Sequence, residues 1–261
     1  MNRFSQTIAV ITGAGSGIGE YTAIRLANEG AKVILVGRTK AKLDYVANKI
    51  NQTTKIPAAE VFTCDVTDEE DVAELAEYVD RHYGDLHVLI NNAGGSSQSK
   101  ILETSSQNWD DVQKANLKSV FLVSKDLGKI MVKGSQQDLG VTQRDRAIVN
   151  VASLSGYKAG SHIPHYSAAK AGVINFSRAL AYELAPHGIR VNSVSPGFIE
   201  TPLTDQRLKN EKFQEAIRKN TALKRVGRPE EIANIIAFVA SHEASYMTGS
   251  DVLADGGWLI T

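Results

Sequence analysis

Tyr166 and Lys170 stand four residues apart in a stretch that we predict to be helical. Side chains at this spacing share one helix face, so the lysine ammonium would lie beside the phenol. A neighbouring cation favours the phenolate, and a tyrosine that ionises near neutrality needs about 4 kcal/mol of such stabilisation. The pair therefore indicates a general acid/base in a part-buried site that uses a second positive charge. The same spacing also occurs by chance in many helices, so the interpretation depends on the rest of the chain.

The composition excludes several classes of protein. The 261 residues carry 29 Lys+Arg and 29 Asp+Glu, and this zero net charge gives no indication of a nucleic-acid or membrane partner. Cys64 is the single cysteine, so no internal disulfide can form, and we expect it to be a buried hydrophobe. The N-terminus lacks the apolar region of a signal peptide, and no apolar run could span a bilayer. We expect a cytoplasmic protein.

Short continuous apolar runs alternate with amphipathic stretches along the chain. The runs predict strands at residues 7–12, 33–36, 61–64, 88–90, 147–151, 189–194 and 252–254. The amphipathic stretches predict helices at residues 40–50, 68–83, 109–132, 205–219 and 229–240. They predict two further helices, one that ends near residue 28 and one that ends at residue 185. Such strands are typical of a sheet covered on both faces. We therefore predict one Rossmann-type α/β domain over residues 1–261, with a doubly wound parallel sheet of about seven strands.

Two local features gave further predictions. Thr67 with Glu70 resembles a capping box at the start of the helix over residues 68–83. Residues 134–146 are polar and unusually long for a connection between a helix and a strand, which predicts a surface loop specific to this protein.

A glycine-rich turn follows the first predicted strand. Backbone N–H groups in such a turn, together with the N-terminus of the next helix, can bind a pyrophosphate. The strict G-x-G-x-x-G fingerprint fails, because Ile18 or Glu20 would have to be glycine. The alternative is a merely flexible turn, which its position between a buried strand and a helix argues against.

The chain resembles the classical branch of the short-chain dehydrogenase/reductase family. The resemblance spans nearly the whole chain and depends on several separated motifs. These are T-G-x-x-x-G-x-G at residues 12–19, N-N-A-G at 91–94, Asn116, Ser153 thirteen residues before Tyr166, Lys170, Pro196-Gly197 and Asp255-Gly256-Gly257.

The resemblance implies that a nicotinamide dinucleotide binds along these motifs. The pyrophosphate would contact the glycine turn, at Gly13, Gly15, Ser16, Gly17, Ile18 and Gly19. The adenine would contact Asp65 and Val66, and the riboses would lie near Asn92, Ala93, Gly94, Tyr166 and Lys170. The nicotinamide end would contact Pro196, Gly197, Ile199 and Thr201.

The end of the second strand bears on which dinucleotide is preferred. Enzymes that use NAD usually place a carboxylate there, but this sequence has Gly37 followed by Arg38 and Thr39. An arginine attracts a 2′-phosphate, so we predict NADP(H), with NAD(H) as the alternative. Many NADP-preferring relatives also have a basic residue in the glycine turn, where this chain has Ser16.

The resemblance also assigns the reaction centre. Tyr166 would be the general acid/base, Lys170 would lower its pKa, and Ser153 would donate a hydrogen bond to the substrate oxygen. Asn116 would disturb its helix and hold a water that joins Lys170 to solvent. His165 should not share the role of Tyr166, because adjacent helical side chains point about 100° apart. We predict no metal site.

These features predict an NADP(H)-dependent oxidoreductase that interconverts a carbonyl and a secondary alcohol. The pocket would be lined by residues 96–99, 154–163 and 198–207, with a substrate lid near 198–220. No anionic pocket is evident, which favours neutral substrates, and the family resemblance implies a homotetramer. Four alternatives remain: a 3-oxoacyl-(acyl-carrier-protein) reductase, an NAD-dependent alcohol or polyol dehydrogenase, a dehydratase or epimerase, and a non-catalytic dinucleotide-binding regulator.

Overall fold

Seven parallel strands form one sheet in the order β3-β2-β1-β4-β5-β6-β7. The computed structural model describes residues 2–54, 57–138 and 144–261. The strands are β1 Ile8–Thr12, β2 Lys32–Gly37, β3 Ala59–Thr63, β4 Val88–Asn91, β5 Arg146–Val151, β6 Ile189–Pro196 and β7 Asp251–Ala254. The prediction of a doubly wound parallel sheet is confirmed.

Helices cover both faces of this sheet. They are α1 Gly17–Asn28, α2 Lys40–Thr53, α3 Glu69–Tyr83, α4 Ser106–Gln113, α5 Ser119–Gln137, α6 Pro164–Leu184, α7 Asp205–Leu208, α8 Glu211–Asn220 and α9 Pro229–Ala240. In the described parts of the chain, none of these helices is both long and apolar enough to cross a membrane.

Successive strand residues feed two hydrophobic cores. Ile11 of β1 packs in the core that includes Leu26 of α1 and Ile236 of α9. Val10, its neighbour, packs in the opposite core with Leu75 of α3 and Leu127 of α5. Because side chains alternate across a strand, a strand between two helix layers is buried on both faces, which explains the continuous apolar run of β1.

Three helix predictions need correction. Asp68, rather than Thr67, caps α3: its side chain accepts from the Glu70 and Asp71 N–H groups at 2.9 and 3.2 Å. The helix predicted over 109–132 is α4 and α5, joined by a π-helical turn at Lys114–Lys118. The helix predicted over 205–219 is divided into α7 and α8.

The predicted surface loop at 134–146 is wrong at both ends. Helix α5 continues to Gln137, and β5 begins at Arg146, while residues 139–143 lie outside the described chain. Arg146 is fully buried and pairs with Asp85 at 2.6 Å and Asp138 at 2.5 Å. A buried guanidinium requires such partners. Two polar residues of this segment, Asp138 and Arg146, therefore belong to an ion-pair network at the start of β5 rather than to a surface loop.

Candidate active site

The candidate site lies where the strand order reverses, between β1 and β4. Loops that leave the carboxyl ends of these strands diverge to opposite faces, which opens a crevice at the edge of the sheet. Four strands deliver the motif residues to this edge: β1 the glycine turn, β4 residues 91–94, β5 Ser153 and β6 Pro196.

The glycine turn is packed so tightly that side chains are excluded. A Cβ on Gly19 would lie 2.3 Å from the Gly13 carbonyl oxygen, and Gly13 and Gly17 adopt positive φ of 65° and 57°. Ser16 stands at the N-cap of α1, but its side chain makes no capping hydrogen bond within the described chain. The first-turn N–H groups are thus left for another acceptor, which fits a pyrophosphate.

Thr12 and Asn92 attach this turn to the end of β4. The Thr12 Oγ1 accepts from the N–H groups of Asn92 and Ala93, each at 3.0 Å. The Asn92 Nδ2 donates to the carbonyls of Thr12 and Gly13 at 3.0 and 3.2 Å. The Asn92 side chain is therefore used to hold the turn rather than left to contact a ligand.

A cation and a carboxylate lie together at the ends of β2 and β3. Arg38 is exposed, and Thr39 beside it is the exposed N-cap residue of α2. Burial raises the pKa of Asp65, but the hydrogen bond from Thr67 and the Arg38 and Lys114 cations outweigh it, so the net pKa is lowered. This end of the crevice thus offers a charged carboxylate and a guanidinium. Val66 is buried next to Asp65.

Tyr166, Lys170 and Ser153 converge at the ends of β4 and β5. Lys170 is 4% exposed, and its Nζ donates to the Val151 carbonyl at 2.8 Å. The same nitrogen is 5.7 Å from the centroid of the Tyr166 ring. The Ser153 side chain lies close enough to the Tyr166 hydroxyl to act on the pKa of that phenol. The structure thus brings these three predicted residues into one group.

Burial controls the ionisation of this group. It raises the pKa of the Tyr166 phenol, and the Ser153 side chain and the Arg207 cation only partly oppose it. Burial also lowers the pKa of Lys170 to about 8. The direction for Tyr166 is opposite to the sequence-based prediction, because desolvation costs the phenolate more than its neighbours stabilise it.

Asn116 lies in the π-helical turn, so the predicted disturbance of its helix is confirmed. Its side chain is fully buried; Nδ2 donates to the carbonyls of Gly95 and Val112 at 2.7 and 2.9 Å, and Oδ1 accepts from Gly95 N–H at 3.2 Å. This amide fixes the loop beside Gly94, where a Cβ would lie 3.6 Å from the Lys170 Nζ. Its predicted water-holding role stays a prediction.

The segment after β6 is fixed between β7 and the glycine turn. Gly197 N–H donates to the Ala254 carbonyl at 2.9 Å, and a Cβ on Gly197 would lie 2.7 Å from the Asp255 Cα. Thr201 approaches to 3.2 Å of a Cβ on Gly17, and Ile199 is buried. The predicted pyrophosphate and nicotinamide contacts are therefore adjacent in space.

Comparison with known proteins agrees with this geometry. The family model described as Enoyl-(Acyl carrier protein) reductase matches residues 13–259. The 3-oxoacyl-(acyl-carrier-protein) reductase FabG of Thermotoga maritima is 39% identical, over 99% of this chain and 100% of its own. The chain belongs to the classical short-chain dehydrogenase/reductase family. It is therefore an oxidoreductase of a family that binds NAD(P).

Solved structures of this family have the same fold. A short-chain type dehydrogenase/reductase from Mycobacterium marinum superposes with a TM-score of 0.90 at 34% identity, over 99% of this chain and 97% of its own. A protein provisionally named as an NAD(P)-dependent gluconate 5-dehydrogenase, from Beutenbergia cavernae, has NADP bound at low occupancy. It superposes with a TM-score of 0.89 at 32% identity, over 98% of each chain.

The structure also describes three other side chains of this oxidoreductase that the sequence interpretation covered. His165 is buried, with its Nε2 3.2 Å from the Ser97 Oγ. The Tyr157 hydroxyl donates to Asp251 at 2.7 Å, so it is not free to contact a substrate. Burial raises the pKa of Cys64 to about 12, and this inert thiol agrees with the predicted buried hydrophobe.

Sequence motifs did not reveal the pairing of Arg207 with Gln98. With the Gln98 amide oxygen facing the guanidinium, it accepts from Nε and Nη2 of Arg207 at 3.1 and 2.7 Å. Both residues fall within the ranges predicted to line the pocket. The contact joins residues 109 positions apart, so no local pattern could have indicated it.

The low pKa of Lys170 predicts a pH dependence of stability. The unfolded chain, with a lysine pKa near 10.5, binds more protons than the folded chain between pH 8 and 10.5. The unfolding free energy of the protein, minus that of Lys170→Met, should therefore rise by about 3 kcal/mol across this window. Denaturant unfolding at fixed protein concentration measures this difference.

Lys129→Met is the matched control, because Lys129 is exposed and pairs with Asp126 at 2.7 Å. Its difference from the unmodified protein should stay nearly constant over the same pH range. A constant difference for Lys170→Met as well would show that Lys170 has an ordinary pKa.

Proposed function

We propose that this protein interconverts a carbonyl group and a secondary alcohol, with NADP(H) as the hydride carrier and Tyr166 as the general acid/base. One observation carries the proposal: the Tyr166 ring and the buried Lys170 amine lie 5.7 Å apart, with the Ser153 side chain close enough to act on the Tyr166 phenol. This arrangement offers two hydroxyl groups to one substrate oxygen.

Tyr166 has the protonation state that reduction requires. Because burial raises its pKa, the phenol keeps its proton at neutral pH and can donate it to a carbonyl oxygen. Ser153 donates a second hydrogen bond to that oxygen, where negative charge develops. A bound nicotinamide supplies or accepts the hydride at the substrate carbon.

Lys170 and Asn116 position the other side of the site in this proposal. The pKa of Lys170 near 8 leaves the amine mostly protonated at pH 7, so it can donate to the hydroxyls of a ribose while it holds Val151. Asn116 keeps Gly95 in place and so preserves the close approach of the Gly94 backbone to Lys170.

The dinucleotide would extend from Arg38 to Thr201 along the crevice. The pyrophosphate would accept hydrogen bonds from the N–H groups at the uncapped N-terminus of α1. Because Gly13, Gly17 and Gly19 have no side chain, the pyrophosphate could approach the backbone of the turn closely. Asp65 and Val66 are assigned to the adenine, and Pro196, Gly197, Ile199 and Thr201 to the nicotinamide.

Arg38 supports NADP(H) over NAD(H). It is exposed directly after β2, close enough to Asp65 to lower the pKa of that carboxyl, and within the described residues no carboxylate lies within 4 Å of it. A guanidinium in this place can bind a 2′-phosphate through two hydrogen bonds.

Two substrate classes receive support from the comparisons. The relatives named 3-oxoacyl-(acyl-carrier-protein) reductase, at 34–39% identity, favour 3-oxoacyl thioesters. The solved neighbour named for gluconate favours sugar acids or polyols.

The proposed activity is tested by measuring NADPH oxidation with simple ketones, acetoacetyl thioesters and oxo acids, with NADH run in parallel. Turnover of none of these would favour a non-catalytic regulator, and an altered product without net NADPH consumption would favour a dehydratase or epimerase.

A mobile lid and a tetramer complete the proposal. The lid, near residues 198–220, would contain α7 and α8. The Phe198 ring contacts the rings of Phe213 and Trp258 edge-on, with centroids 5.5 and 4.8 Å apart.

Exposed apolar side chains such as Phe121 of α5 and Leu253 of β7, at 43% and 36% exposure, support self-association. Light scattering that gives a monomer mass would contradict the tetramer.

Tyr166→Phe should lower kcat by about 1,000-fold, because it removes the proton donor, while the Kd for NADPH changes little. Steady-state rates and fluorescence titration with NADPH measure the two effects separately. Tyr182→Phe is the matched control: Tyr182 lies on the same helix at 86% exposure, and its variant should keep the rate. A near-normal rate for Tyr166→Phe would refute the assignment.

Arg38→Asp should reverse the coenzyme preference. Loss of a charge-assisted contact and added repulsion should lower the ratio of kcat/KM for NADPH over NADH by about 100-fold. Arg81→Asp, at an exposed arginine of α3, controls for the change in net charge. An unchanged ratio in Arg38→Asp would show that another residue selects the dinucleotide.

A further inference from the structure

Arg207 is a part-buried cation near Tyr166, and it has no acidic partner among the residues that the structure describes. It lies on α7, and its charge is close enough to act on the Tyr166 phenol. Within the described residues, no carboxylate oxygen lies within 4 Å of its guanidinium. The acid on the same helix, Asp205, pairs instead with Lys209 at 2.8 Å.

Gln98 holds this guanidinium without neutralising it. Its amide oxygen accepts from Nε and Nη2 at 3.1 and 2.7 Å, on one edge of the planar group. That two-nitrogen contact is the one that carboxylates make with arginine, but here a neutral amide makes it. The remaining N–H groups of Arg207 keep their charge and their capacity to donate.

A part-buried charge without a counter-ion is costly, since both desolvation and the missing partner oppose it. Such a cost is recovered when an anion binds. The place is also specific. Gln98 and Arg207 come from two of the segments predicted to line the pocket, and Arg207 is near enough to Tyr166 for its charge to act on the phenol. Ser97, next to Gln98, lies 3.2 Å from His165, next to Tyr166. An anion held here would be part of the molecule whose oxygen meets Tyr166.

We propose that Arg207, oriented by Gln98, binds a carboxylate of the substrate, so that the preferred substrates are oxo acids and the corresponding hydroxy acids. This inference deepens the proposed function and rests on it. It departs from the sequence-based expectation of neutral substrates, because the contact that orients Arg207 is formed only in the folded chain.

The test uses matched pairs of substrates. Short oxo acids, with the carboxylate at different distances from the ketone, are each compared with their primary amides in the intact protein with NADPH. At least one acid should have a kcat/KM about 10- to 100-fold above its amide, as expected for a charge-assisted contact. Arg207→Ala should abolish this preference, because KM should rise about 10- to 100-fold more for the acid than for the amide.

Two further variants separate charge from structure. Arg207→Lys keeps the charge but loses the two-nitrogen contact, so it should retain part of the preference. Arg81→Ala is the control, because Arg81 is an exposed arginine of α3, outside the proposed lid. This control should keep the full preference.

The possible failures are distinguishable. Equal turnover of acids and amides, or equal losses for both in Arg207→Ala, would overturn this inference and leave the proposed function intact. Turnover of no carbonyl compound with either dinucleotide would overturn the proposed function, and this inference with it.

Discussion

The structure depends on burying the Lys170 amine at the carboxyl edge of a parallel sheet. Removing an ammonium from water is costly, and the fold offsets this with the Val151 carbonyl of β5. Gly94 lies against this amine and has no side chain to displace it, and the Asn116 amide holds the neighbouring Gly95 in place. Two segments of the chain thus help to position the Lys170 amine. The π-helical turn that contains Asn116 is part of this arrangement, because it directs the amide inward.

Next to this amine, opposing effects act on the pKa of Tyr166. Burial favours its neutral form, whereas the Ser153 side chain and the Arg207 cation favour the phenolate. Burial prevails, so the pKa of the phenol is raised and the hydroxyl is protonated at neutral pH, which is the form that donates a proton in a reduction.

The two edges of the sheet have different tasks. The carboxyl edge carries glycine turns, the uncapped N–H groups of α1 and the Arg207 guanidinium, which has no carboxylate partner among the described residues. The amino edge contains buried Arg146 with Asp85 and Asp138, where every charge has a partner. Gly134 allows Asp85 to approach, since a Cβ there would lie 1.9 Å from the Asp85 Oδ1.

Sequence alone determined the seven strands, most helices and the identity of the motif residues, because hydrophobic periodicity and glycine spacing are local properties. Its predictions of a cytoplasmic location and a tetramer stay predictions. Tertiary structure decided the rest: the Asn92 amide turned back onto Gly13, the partners of Arg146, the contact of Gln98 with Arg207, and the raised pKa of Tyr166. These outcomes depend on desolvation and on contacts between distant segments, and neither quantity exists until the chain has folded.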